Sequence, residues 1–115
     1  AMIAPGDEAM RGLEAVVLPL EERAVGPALA LATRLRDQGM AVGLEPAGRS
    51  LKALLRAADR RRARLALILG EDELRAGRAT VRDLARHEDR PQALPLDASG
   101  RELAEQVRTV SGAGA

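Results

Sequence analysis

The chain has 115 residues, of which 46% are hydrophobic and 30% charged, a balance that suits one globular domain and excludes intrinsic disorder. It contains no Phe, Tyr or Trp, so the core must be built from Leu, Val, Ala, Ile and Met, and no base or cofactor can be held by aromatic stacking. The lack of cysteine excludes disulfides, thiolate metal sites and cysteine nucleophiles, and a formal net charge of +1 gives no global signature of a general nucleic-acid binder.

No apolar stretch approaches the ~20 residues that span a bilayer, and the N-terminus lacks the apolar run of a signal peptide. The expectation is a cytoplasmic chain with no membrane partner. Residues 1–12 carry Pro5, Gly6 and Gly12 with little periodicity and read as a linker or flexible arm. The domain is expected over 13–110, and 111–115, SGAGA, as a disordered tail.

EAVVLPL, 14–20, is a β-branched apolar run that suits a buried strand. Over 24–38, Val25, Ala28, Leu29, Ala32 and Leu35 recur at helical spacing, and Gly39 suits the helix end. Pro27 is tolerated only in a first turn. Met40–Leu44 reads as a second short strand. Ser50 can cap a helix whose apolar face holds Leu51, Leu54, Leu55 and Ala58.

Leu65–Leu69 is apolar at every position, as in a central strand buried on both faces. The acidic cluster Glu71, Asp72 and Glu73 follows at once, and either Glu71 or Asp72 could cap a short helix at 72–76. Ala79–Leu84 and Gln92–Leu96 read as weaker strands, the latter confined to an edge by Pro91 and Pro95. Ser99-x-x-Glu102 is a capping box opening a last helix with Leu103, Val107 and Val110 on one face. Strand, helix, strand, helix, strand demands parallel pairing with right-handed crossovers. The predicted fold is α/β: a mixed, mostly parallel five-stranded sheet flanked by about three helices.

In open α/β sheets ligands gather beyond the carboxyl ends of the parallel strands. Those ends here are Pro19-Leu20-Glu21-Glu22, Glu45 to Arg49, and Gly70 to Glu73. A second signal is cationic. Residues 49–64 hold seven cations against one anion, Asp59, and Lys52, Arg56 and Arg60 recur every four residues. That row is either a phosphate track or a solvated, arginine-rich helix face.

Catalytic signatures are missing. His87 is the only histidine, set in a polar loop with no second histidine for a metal site or triad. GEDELRAG lacks the lysine and spacing of a phosphate-binding loop. The sequence offers no catalytic residue and no metal ligand set.

Taken together, VVLPL at 16–20, GRSLK at 48–52, Ala58-Asp59, ILGEDEL at 68–74 and TVRDL at 80–84 resemble the C-terminal anticodon-binding domain of class IIa aminoacyl-tRNA synthetases. Within that group the chain looks most like histidyl-tRNA synthetase, over roughly residues 13–110. The resemblance implies an RNA-binding set of Glu73 and Arg82 as base readers, with Arg49, Lys52 and Arg56 near phosphates. It also implies tRNA as partner, with tRNA-His the expected one, and a homodimeric parent enzyme. ATP and histidine would bind a separate catalytic domain, leaving no cofactor in this one. Turns differ from the family pattern at Glu21-Glu22 and at the Arg61-Arg62-Ala63-Arg64 run, and base stacking would fall to arginine planes. The alternative expectation is a free-standing regulatory or protein-interaction module with the same fold and no role in aminoacylation.

Overall fold

The computed structural model describes residues 12–110; the arm expected at 1–12, apart from Gly12, and the tail at 111–115 lie outside the described residues. Strand β1, Ala15–Pro19, is buried at every position and pairs in parallel with both β2, Val42–Leu44, and β3, Leu65–Leu69. Its apolar, β-branched run is thus placed in the interior of the sheet, where both faces are covered.

Between β1 and β2 the chain makes a short 3-10 turn, Glu22–Ala24, and helix α1, Val25–Asp37. Pro27 falls in the first turn of α1, where its missing N–H costs no intrahelical bond. Helix α2, Leu51–Arg60, links β2 to β3 on the opposite face. The Ser50 hydroxyl accepts from the Ala53 N–H at 3.1 Å, the cap expected from the sequence.

Beyond β3 the chain turns into the six-residue helix α3, Glu71–Ala76, and returns as β4, Arg78–Asp83, antiparallel to β3. Residues 70–77 are too few for a parallel return, which needs about a dozen residues. Two-residue strands β5, Glu88–Asp89, and β6, Leu94–Pro95, pair antiparallel with opposite ends of β4. Helix α4, Gly100–Val110, closes the described chain, and the Ser99 hydroxyl accepts from the Glu102 N–H at 3.2 Å.

The sheet therefore has six strands, in the order β2-β1-β3-β4-β5 with β6 also on β4, and four helices accompany it. The expected mixed α/β sheet flanked by helices is borne out, with six strands where five were expected, four helices where about three were expected, and parallel pairing in only part of the sheet. Parallel pairing is confined to β2, β1 and β3, because only α1 and α2 provide crossovers of sufficient length.

Alternation along the strands divides the core. Val17, Leu65, Leu67, Leu69 and Val81 face α1 and α4, meeting Leu31, Leu35, Leu103 and Val107. Val16, Leu18, Ala66 and Ile68 face α2, meeting Leu54 and Ala58. Two helices cover the first face and one covers the second, so the molecule has three layers. One glycine is fixed by the backbone itself. Gly12 has φ +80°, and a Cβ there would sit 2.3 Å from the Arg62 carbonyl oxygen, which accepts from the Leu13 N–H at 3.2 Å.

Candidate nucleic-acid interface

Because β1, β2 and β3 run parallel, Leu20 to Glu22, Glu45 to Arg49 and Gly70 to Glu73 share one rim. The acidic cluster there has a local reason. Gly70 occupies the cap position of α3 and has no side chain to accept from the helix. Glu73, three residues on, turns back so that its Oε1 accepts from the Gly70 N–H at 2.9 Å, the returning half of a capping box. The cap is therefore made by Glu73, and neither Glu71 nor Asp72 supplies one. Both contribute carboxylates to the first turn, where the helix dipole favours them.

The second oxygen of Glu73 accepts from the Thr80 hydroxyl on β4 at 2.8 Å. Thr80 and Arg82 alternate with Ala79 and Val81, which belong to the α1/α4 core, so both project from the opposite face. That is the α2 side of the sheet, but α2 packs over β1 and β3, and β4 lies one strand further out. Thr80 sits opposite Ile68, near the rim. Arg82 sits opposite Ala66, about 7 Å further along the strand and away from the rim. Glu73 thus reaches this face through its bond from Thr80, which shares a strand row with Arg82, but Arg82 does not share the rim.

Arg82 is held in place. Its Nη1 donates to Asp89 Oδ1 at 3.2 Å and its Nη2 to the His87 carbonyl at 2.9 Å. Asp89 is its direct cross-strand neighbour on β5. His87 adopts φ +56° in the intervening turn, which brings its carbonyl round to the guanidinium. The Arg82 side chain keeps 28% exposure, and two contacts leave three of the five guanidinium N–H donors for other partners.

The cations around α2 divide into two groups. Lys52, Arg56 and Arg60 are exposed and make no ion pair among the described residues. They form a ridge about 12 Å long on the outer side of the helix. Arg49 and Arg61 instead converge on Glu45, at 3.2 and 2.8 Å. Glu45 itself is only 12% exposed, and its N–H donates to the Val17 carbonyl, so this acceptor is fixed to the end of the sheet. Of the three cations expected near phosphates, Lys52 and Arg56 stand open and Arg49 is paired with Glu45, which it shares with Arg61.

Sequence reasoning placed Glu45 on the rim and Arg61 in the cationic run but did not find their pairing, and it did not find Thr80 or Asp89 as parts of this surface. Thr80 had one available signal, its position two residues before Arg82 on a strand. Asp89 and the pairing of Glu45 with Arg61 depend on strand register or on a side chain crossing the sheet. His87, exposed on its turn, contributes a carbonyl only.

With this geometry in view, comparison with known proteins is decisive. The sequence pattern described as anticodon binding domain matches residues 14–106. The chain belongs to the anticodon binding domain family. It is 46% identical over 83 residues to a histidine–tRNA ligase of Desulfitobacterium hafniense, an alignment covering 71% of this chain and 20% of that protein. Against the histidine–tRNA ligase of Saccharopolyspora erythraea it is 41% identical over 95 residues, covering 83% and 22%. It therefore spans about a fifth of the length of these curated relatives.

Among solved structures, the histidyl-tRNA synthetase of Nostoc sp. PCC 7120 superimposes with a TM-score of 0.72 at 25% identity, covering 86% of this chain and 22% of that one. The RNA binding domain of a threonyl-tRNA synthetase from Cryptosporidium parvum Iowa II shares the fold, with a TM-score of 0.68 at 22% identity, covering 83% and 22%. The mixed sheet with helices on both faces is thus the fold of this family, and among the described residues no helix is long and apolar enough to cross a membrane.

Proposed function

We propose that this anticodon binding domain reads the anticodon of tRNA-His as part of a histidyl-tRNA synthetase. In this reading it positions the tRNA while a catalytic domain elsewhere in the protein handles ATP and histidine, and the parent enzyme is a cytoplasmic homodimer. The observation that carries the proposal is the match of residues 14–106 to the family, together with histidine–tRNA ligases as relatives.

The surface supplies the chemistry such a role requires. Splayed single-stranded bases expose their edges to side chains. The free donors of Arg82 suit a guanine edge, and the unused lone pairs on the Glu73 carboxylate suit an exocyclic amine or imino group. Lys52 and Arg56 supply sequence-independent attraction to phosphates, and Arg49 joins them where RNA competes with Glu45. Specificity and affinity then rest on different elements, β4 with α3 for the bases and α2 for the backbone.

The test is titration of this chain with a tRNA-His transcript and with an anticodon-swapped version, at low and raised salt. A preference for the native anticodon that survives raised salt is the expected result, because base contacts release few counterions. Weak binding that is equal for both RNAs and vanishes with salt would overturn the reading and favour the free-standing module.

A further inference from the structure

The Glu73 carboxylate can address a base only if it is held at a fixed angle to the face that carries Arg82. The return bond to the Gly70 N–H fixes one oxygen, yet on its own it leaves the carboxylate plane free to turn about that contact. The second anchor is the Thr80 hydroxyl, which donates to Oε2 at 2.8 Å across seven residues of chain and from a different element.

Thr80 is half-buried on β4 and belongs to the same row as Arg82. Its placement is set by the rigid pairing of β4 with β3, where it lies opposite Ile68. Arg82 has equivalent anchorage from Asp89 and the His87 carbonyl. The two groups proposed to read bases are thus each held at two points, from neighbouring elements. Such pre-ordering lowers the conformational cost of binding and sharpens the penalty for a mismatched base.

We infer that Thr80 is a positioning residue for anticodon discrimination, its hydroxyl orienting the Glu73 carboxylate toward the face shared with Arg82. This rests on the anticodon-reading role proposed above. The hydroxyl, rather than the methyl group or the strand propensity of the residue, carries the effect. Thr80 fixes the angle of an acceptor and leaves the phosphate ridge on α2 untouched.

The experiment compares the intact chain with Thr80→Val, which keeps the shape and removes the donor, and with Thr80→Ser, which keeps the donor and removes the methyl. Thr109→Val, on the exposed side of α4, serves as control. Each is titrated with the tRNA-His transcript and its anticodon-swapped version at two salt concentrations.

Thr80→Val is expected to lose roughly tenfold in the native-to-swapped affinity ratio, the scale of one hydrogen bond to a charged group. Its affinity for the swapped RNA and its salt slope should stay unchanged, and Thr80→Ser and Thr109→Val should discriminate like the native chain. If Thr80→Val does not fold, Thr80→Ala against Thr80→Ser makes the same comparison, since both lack the methyl.

The reverse order, with the Val variant discriminating normally and the Ser variant impaired, would assign Thr80 to packing and overturn the inference. So would equal discrimination by all variants. A native chain that does not discriminate at all overturns the anticodon reading first, and is distinguishable on that account.

Discussion

The Arg61 guanidinium lies flat against the backbone of Gly43, close enough that a Cβ on Gly43 would come within 2.7 Å of its carbon and both terminal nitrogens. Arg61 leaves the end of α2 and crosses β2 over this glycine to reach Glu45 at 2.8 Å. The glycine in the middle of β2 is therefore a passage for a side chain. Gly43→Ala should displace the guanidinium and cost roughly 1 kcal/mol or less, the scale of a partly exposed ion pair. In an Arg61→Ala background the same substitution should stabilise by about 0.4–1 kcal/mol, because the space is then empty and the unfolded chain is stiffened. Denaturant melts of the four proteins in this cycle check the change of sign.

A core without aromatic residues distributes its stability over many leucines. Leu54 is the largest fully buried residue that α2 contributes to the second core, which it shares with Val16, Leu18 and Ile68. Leu54→Ala should cost about 2–5 kcal/mol, the range for truncating a buried leucine. The α2 ridge would loosen with it. Urea unfolding with unchanged slope and a lower midpoint is the expected observation.

Open and paired cations should behave differently toward RNA. Lys52→Ala and Arg56→Ala should each weaken binding to native and swapped transcripts alike, and each should reduce the salt slope by about 1. Arg49→Ala should change the slope less than either, because Glu45 already holds Arg49 at 3.2 Å. Measuring affinity across a salt series for the three variants separates these outcomes.

Much of this architecture is legible in the sequence. The VVLPL and LALIL runs mark strands buried on both faces, and Ser50 and Ser99 mark helix starts that the hydrogen bonds bear out. The two ends of β4 are less legible. Glu88–Asp89 has no apolar pattern, and it becomes a strand because the turn at His87 returns the chain beside Arg82. Gln92–Leu96 shrinks to Leu94–Pro95, since proline leaves little of the segment able to pair.

The double role of Glu73 was half visible. A carboxylate three residues past a glycine cap is a local signal. Its bond to Thr80 depends instead on where an antiparallel return places β4. Arg49 and Lys52 are close neighbours in sequence, and what separates them is the pairing of Arg49 with Glu45.

The central claim is that Arg82 reads a base. The most direct measurement is a cycle of Arg82→Ala against an anticodon swap, with all four affinities determined at one raised salt concentration. The account predicts a coupling of about 1–3 kcal/mol, with Arg82→Ala weakening the native transcript and leaving the swapped one nearly unchanged. Equal losses for both transcripts, and so a coupling near zero, would contradict it and reduce Arg82 to the partner of Asp89.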